Sequence, residues 1–448
     1  MSIALKVQER HLFYEPRMSA MDFEVGEDYA LKLDAEDPLA PFRDRFYQIP
    51  GVIYMDGNSL GLMSRDAEGA LLRVLDEWKR LGINGWTKGE IPWVWYGERL
   101  GALEAPLVGA EPEEVVVAGS TTVNLHTLVA TFYRPEGRRT KILADELNFP
   151  SDIYALAAQI RLRGGNPDRD LVLVESGDGR TIDEGDIIDA MTDDVALILL
   201  PSVLYRSGQL LDMGRLTTAA RDIGIPVGFD CSHSVGVVPH RFDEWGVDFA
   251  FWCNYKYMNG GPGGTASLYV NRRHFGARPG LAGWWGHDRA TQFDMKIEFT
   301  PARTAGAWQI GTISMLSSAP IEGATLMMLE AGIENIRRKS LRITAYLMFL
   351  VDALLSRPPY RFSVGTPREP ERRGGHVAVE HPTEAFRIGE ALKARGVLPD
   401  FRPPNVIRLA PIPLYTSYHE VWRVAQHLKA IIDNREYEMF SKERGVVT

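Results

Sequence analysis

A lysine between two tyrosines, Tyr255-Lys256-Tyr257, follows the apolar run Phe249-Ala250-Phe251-Trp252 and precedes the glycine-rich turn Gly260-Gly261-Pro262-Gly263-Gly264. An ammonium pressed against apolar walls loses hydration, its pKa falls, and the neutral amine becomes a nucleophile or base able to form a Schiff base. A lysine beside tyrosines can equally lay its stem on aromatic surface and keep its head in water. Other residues must decide. Asp230 ends the apolar segment Pro226-Val227-Gly228-Phe229, and His233 lies three residues on. Ser120, Thr121 and Thr122 open a helical pattern over 123–132. Free N–H groups at such a start bind anions, although a serine or threonine there can simply cap the helix. An amine, a carboxylate and an anion site together suit pyridoxal phosphate. The carboxylate keeps the ring nitrogen protonated, the lysine holds the aldehyde, and the helix start with Thr122 holds the phosphate. The glycine turn lacks the Gly-Lys-Ser/Thr ending of a nucleotide phosphate loop. No His/Glu spacing suggests a metal site.

These groups need a frame. Strand and helix patterns alternate from 113 to 211, the signature of a parallel sheet with helical crossovers. Strands are predicted at 115–118, 141–144, 171–174, 195–200, 226–230 and 265–270. Ligands of such sheets bind beyond the carboxyl ends of the strands, where the loop polar residues converge. Upstream, the sequence predicts helical segments wrapped on the surface up to about residue 50. A short strand from Val52 then breaks into the polar loop Asp56-Gly57-Asn58-Ser59, and a helix covers 66–81. Trp86, Trp93, Trp95 and Tyr96 serve either as core or as the wall of a pocket for a flat substrate. A helical pattern over 321–355 leads into a second domain, with strands at 376–380 and 406–410 and helices at 384–395 and 418–433.

The 448 residues are 45% hydrophobic and 24% charged, ordinary for a globular protein with more than one structural unit. A net charge of -9 gives no field for nucleic acid or an anionic membrane. The most apolar short segment, 195–200, is far too short to span a bilayer. The amino terminus lacks a signal-peptide pattern, so a cytoplasmic location is expected. Two cysteines, Cys231 and Cys253, cannot build a disulfide framework and read as reduced core residues.

As a set, the segments 54–62, 122–126, 149–152, 228–233, 255–257, 283–287 and 407–415 resemble the kynureninase family, in that family's order. The resemblance implies the α/β fold type I of PLP-dependent enzymes: a large domain with a mostly parallel seven-stranded sheet and a smaller α/β C-terminal domain. The corresponding divisions are 1–55, 56–310 and 311–448. Its implied activity is hydrolytic cleavage of the Cβ–Cγ bond of L-kynurenine to anthranilate and L-alanine, in tryptophan catabolism.

By the same resemblance, Lys256 is the Schiff-base lysine and proton carrier, Asp230 the partner of the ring nitrogen, and Phe149 the ring stacked on the cofactor. Thr121, Thr122 and Tyr255, with Trp284 and Thr312 from the other subunit of a homodimer, surround the phosphate. Asp152, Ser202 and His233 complete the cofactor shell. Asn58, Ser59, Trp86, His287 and Arg408 face the substrate, Arg408 clamping its α-carboxylate. The chain has Gly85-Trp86-Thr87 where animal enzymes preferring the 3-hydroxylated substrate carry a Gly-His-Glu loop. An indole without an acceptor suits an aniline ring better than a phenol, so 3-hydroxykynurenine is expected to be the poorer substrate. The rival readings are a cysteine desulfurase, which needs a nucleophilic cysteine on a mobile loop, an aminotransferase, and a catalytically dead scaffold.

Overall fold

The computed structural model describes residues 23–443. The part of the expected amino-terminal helical segment before residue 23 lies outside them. Seven strands form the central sheet in the order Val115–Val117, Ser267–Val270, Phe249–Trp252, Val227–Asp230, Val195–Pro201, Lys141–Asp145 and Leu171–Val174. All run parallel except Ser267–Val270, which is antiparallel to both neighbours. Every residue of Val195–Pro201 is buried. A parallel strand covered on both faces has no wet side on which to alternate, hence its unbroken apolar run. Ile198, Leu200, Phe229 and Trp252 enter one core cluster, and Leu197, Leu199, Phe249 and Phe251 another.

The helical pattern at 321–355 resolves into two helices, Met315–Ala331 and Ile333–Leu355. Gly332 separates them at φ +78°, a conformation that glycine adopts without steric cost. The first helix packs on Arg65–Leu81, and the second enters the C-terminal core. Apolar residues continue on both sides of Gly332, so periodicity alone hides this change of direction.

That second core is built on a four-stranded antiparallel sheet in the order Asp400–Arg402, Val406–Leu409, Val377–Glu380 and Ser363–Val364. The helices Ala385–Ala394 and Tyr418–Asp433 bury Ile388, Leu392, Val424 and Leu428 in it. The helix Glu27–Ala35 adds Ala30 and Leu33. Its Asp34 carboxylate accepts the Tyr418 and His419 N–H groups at 2.6 and 3.0 Å, capping the last long helix beside that helix's own Ser417–Glu420 capping box. The short strand Ile53–Tyr54 pairs in parallel with Val397–Leu398, so the loop that follows it is tied to the C-terminal sheet region. Among the described residues no helix is long and apolar enough to cross a membrane.

Glu104, on the helix Tyr96–Val108, is fully buried and accepts the Trp252 Nε1–H at 3.1 Å. Burial pushes its carboxyl up to about 8 from an ordinary 4.5. Between those values the folded chain keeps a proton that the unfolded chain has released. Stability is therefore lost as pH rises through the window, at about 1.4 kcal/mol per pH unit. Glu104→Gln removes this titration, and chemical denaturation should show a flatter stability profile from about pH 5 to about pH 8. An unchanged slope would show that Glu104 does not carry the effect.

Candidate active site

At the carboxyl edge of the parallel strands lies a cavity of about 250 Å³. Asn58, Ser59, Thr121, Thr122, Phe149, Asp152, Asp230, His233, Tyr255, Lys256 and Arg408 line it. The strand Val227–Asp230 delivers Asp230 at its end, and Phe249–Trp252 runs out into the loop carrying Tyr255 and Lys256. The helix Thr121–Phe132 begins at the cavity and has no side-chain cap at Ser120. Its first N–H groups are thus not taken by a capping hydroxyl, which favours the anion-site reading over the capping one. The loop after Ile53–Tyr54 reaches the lysine loop because Gly61 has no side chain. Its N–H donates to the Tyr255 carbonyl at 2.8 Å, and a Cβ there would stand 2.5 Å from the Lys256 carbonyl oxygen.

The neighbours of the lysine head are polar, unlike the apolar box that the flanking tyrosines suggest. Lys256 Nζ lies 3.0 Å from His233 Nε2 and 5.9 Å from the centre of the Phe149 ring. His233 is buried, and desolvation, then the charges of Lys256 and Arg408, hold its pKa well below the ordinary value. It is neutral at physiological pH and can accept a hydrogen bond from the lysine head. Asp152 is almost fully buried, and desolvation, then the neighbouring Asp230 charge, hold its carboxyl well above the carboxylate range. The Asp230 Oδ1 accepts the Ser232 N–H at 2.8 Å. Of these two neighbouring carboxyls, Asp152 is the one whose burial favours the protonated form.

Polar atoms facing this space lack partners: Asp152 Oδ2, His233 Nδ1, and both the Oδ1 and Nδ2 of Asn58 are buried without hydrogen bonds. Phe149 is 42% exposed, with a ring face over the cavity and Tyr205 edge-on at 5.3 Å. Unmet acceptors and donors, a helix start, an amine and an open aromatic face fit a phosphorylated pyridine aldehyde. Arg408 is fully buried. It donates from Nη1 to the Tyr205 carbonyl at 2.7 Å and from Nη2 to Ser59 Oγ at 3.2 Å and to the Asp400 carboxylate. Burial lowers its pKa to about 10, still charged at neutral pH.

Five expected residues stand elsewhere in the single chain. Ser202 lies beneath the cavity, its hydroxyl donating to the Asp230 carbonyl at 3.1 Å and bonded to Ser234 Oγ at 2.6 Å, so no donor is left over for a ligand. Trp86 packs edge-on against Trp93 and Trp285 and borders a separate pocket with Thr312. Trp284 is half exposed and donates Nε1–H to the Gln292 carbonyl at 3.2 Å. His287 is buried, with Nε2 3.0 Å from Thr291 Oγ1. The chain alone does not bring Trp86, Trp284, His287 or Thr312 to the cavity, because its own aromatic cluster and loop bonds hold them apart from it. Conversely, Ser151, Tyr205, Ser232 and Arg402 line the cavity without having been picked out from sequence. For Arg402 a signal existed: Asp400 and Arg402 alternate on one face of a strand beside the one carrying Arg408. Cys231 and Cys253 are both buried, and burial raises their thiols, so neither is poised as a nucleophile.

Comparison with known proteins agrees with this arrangement. Residues 336–428 match the kynureninase C-terminal domain model. Kynureninase of Geobacillus thermodenitrificans is 59% identical over 96% of this chain and 100% of its own length. That of Bacillus thuringiensis is 57% identical over 95% and 99%. Among solved structures, apo cysteine desulfurase from Thermococcus onnurineus NA1 superposes with a TM-score of 0.75 at 16% identity, over 88% of this chain and 98% of that one. A lysine-to-alanine variant of C-DES with glycine covalently linked to its PLP cofactor gives 0.74 at 16%, over 86% and 98%. At that identity the likeness establishes the fold alone, the fold type I of PLP-dependent enzymes. With near-full-length identity above one half on one side and a lysine–carboxylate cavity of matching chemistry on the other, the chain belongs to the kynureninase family.

Proposed function

We infer that this cavity is where L-kynurenine is cleaved between Cβ and Cγ to anthranilate and L-alanine. The observation that carries the reading is that Lys256, the Asp152–Asp230 pair and Arg408 face one enclosed space. The cofactor is pyridoxal 5'-phosphate, and the chain is a hydrolase of carbon–carbon bonds. When bound, the cofactor supplies an electron sink for the carbanion character that Cα and Cβ must carry.

The chain's residues divide the remaining work. Lys256 would hold the aldehyde through Nζ, and the start of the helix Thr121–Phe132, with Thr121, Thr122 and Tyr255, would hold the phosphate. Asp230, beside an Asp152 carboxyl that burial holds above the carboxylate range, would partner the ring nitrogen, and Phe149 would stack on the ring. Arg408 fixes the α-carboxylate and so aims the α-hydrogen at Lys256 Nζ, which carries the proton. Neutral His233, 3.0 Å from that nitrogen, is an acceptor within reach when the lysine is charged.

Trp284 and Thr312 complete the phosphate site from the second subunit of a homodimer, and Trp86 and His287 of that subunit bound the substrate's aromatic end. Support comes from the exposure of Trp284, Phe293, Met295 and Ile297, a run of large apolar side chains in water on one chain. The division of labour follows 56–310 as the large cofactor domain and 311–448 as the connecting helices and small C-terminal domain, with 1–55 as the amino-terminal segment. A cytoplasmic location and a place in tryptophan catabolism accord with the bacterial relatives.

Lys256→Ala should abolish anthranilate release and the visible absorption of the cofactor-loaded protein, and retention of both would refute its assignment. The rings packed on Trp86 are the indoles Trp93 and Trp285, and the Trp86 side chain itself has a donor and no acceptor to offer a phenol. The kcat/KM for L-kynurenine should therefore exceed that for 3-hydroxykynurenine. Equal or higher efficiency on the hydroxylated substrate would sink this preference.

A further inference from the structure

Arg408 is already engaged by groups of the chain itself. The strands Asp400–Arg402 and Val406–Leu409 are antiparallel, with Asp400 directly opposite Arg408. Residues two apart in a strand share a face, so Arg402 stands on the same side as Asp400. One oxygen, Asp400 Oδ2, serves both guanidiniums: it accepts from Arg408 Nη2 and lies 3.0 Å from Arg402 Nη2. Asp400 is 4% exposed and Arg408 1%, so this ion pair is out of water.

A guanidinium grips a carboxylate with two parallel N–H groups, along either its Nε/Nη2 or its Nη1/Nη2 edge. Both edges include Nη2. On Arg408 that nitrogen already donates to Ser59 Oγ and to Asp400, its full complement of two hydrogens. Arg408 Nε, by contrast, is buried with no partner, as is Arg402 Nε. The side-on edge of Arg408 is therefore half open and half taken by a carboxylate of the chain itself. An incoming carboxylate obtains a two-point grip only by displacing the resident one. Arg402, facing the same cavity and already within reach of the same oxygen, is where the displaced carboxylate can remain paired. Asp56, which adds its field to both guanidiniums, has one oxygen buried without a partner and makes no hydrogen bond to either arginine, so it is not the exchanging group.

We propose that Asp400 is a resident stand-in for the substrate's carboxylate on Arg408, and that substrate binds by exchange, Asp400 passing from Arg408 to Arg402. The proposal rests on the reading of Arg408 as the carboxylate clamp. It assigns Asp400 and Arg402 as positioning residues that set which anions Arg408 accepts. A weakly held anion cannot dislodge a buried carboxylate, whereas an amino acid also anchored through its amine can.

The test is calorimetric titration of the cofactor-loaded protein with L-alanine, which carries the α-carboxylate and amine but cannot be cleaved. Asp400→Asn should bind it about tenfold or more tightly, because no anion has to be displaced. Arg402→Gln should bind it about tenfold or more weakly, because the displaced Asp400 is left buried and unpaired. The double variant should return to within about threefold of Asp400→Asn, since Arg402 acts only through Asp400. With L-kynurenine the single-variant changes should fall on KM, with kcat held. Weaker or unchanged binding by Asp400→Asn overturns the exchange, as does a double variant as weak as Arg402→Gln. Should Asp400→Asn fail to fold, unchanged binding by Arg402→Gln alone overturns it. Arg408→Gln separates the two layers: unchanged alanine affinity in that variant removes the clamp reading itself, whereas lost affinity there with weakened Asp400→Asn binding removes only the exchange.

Discussion

Two carboxyls, Asp152 and Asp230, share the cavity floor with the head of Lys256. Taking such groups out of water costs several kcal/mol each unless they answer one another. The surroundings are built around that requirement. Burial holds the Asp152 carboxyl above the carboxylate range and His233 below the ordinary imidazole range, and the arginine–aspartate cluster stands at the other end of the cavity. Each neutralisation leaves polar atoms unsatisfied, notably Asp152 Oδ2 and His233 Nδ1. Their cost is tolerable only in a chain that gains a ligand presenting matching groups.

Holding these groups at fixed spacing falls to the sheet. Five of its parallel strands lie side by side, and the residues that matter leave their carboxyl ends within a few residues of a buried strand. Asp230 ends one strand, and Lys256 follows four residues after the end of the next. Because both sheet faces are packed, a strand cannot shift without opening two cores at once. The loops therefore inherit the rigidity of the strands that launch them. Gly61 shows the tolerance: the polar loop and the lysine loop meet so closely that one methyl group would collide with backbone.

Much of this was legible in the chain because the signals were local. Val195–Pro201 reads as a doubly covered strand from its run alone, and the helix over 418–433 from its Ser417–Glu420 box and periodicity. Lys256, Asp230 and Thr122 could be grouped because a parallel sheet sends all such strand ends to one side. Other features depended on tertiary contact. Ser202 has the residue type and loop position of a ligand-binding hydroxyl, yet its neighbours across the sheet take its hydrogen bonds. Trp86 and His287 carry suitable chemistry, but no sequence pattern tells whether a loop turns toward its own cavity or away from it. The signal for Arg402 was weak because its strand is three residues long, which gives the alternation with Asp400 little room to stand out.

The position of Arg408 shows why the two cores must belong to one enzyme. Its strand is part of the C-terminal sheet, yet its Nη1 donates to the Tyr205 carbonyl in a loop of the cofactor half and its Nη2 to Ser59. The same seam is crossed by the Arg180–Glu380 pair at 2.6 Å, whose carboxylate is buried. On the proposed assignment, the substrate's carboxylate is read by one half of the chain and its α-carbon chemistry by the other. A shift of the C-terminal sheet by an ångström moves the α-hydrogen relative to Lys256 by a comparable amount, and alignment at that scale decides whether proton transfer is efficient. The buried Asp400 carboxylate on Arg408 keeps that seam charge-balanced from within the chain, so the two halves are held in register by the protein's own charges.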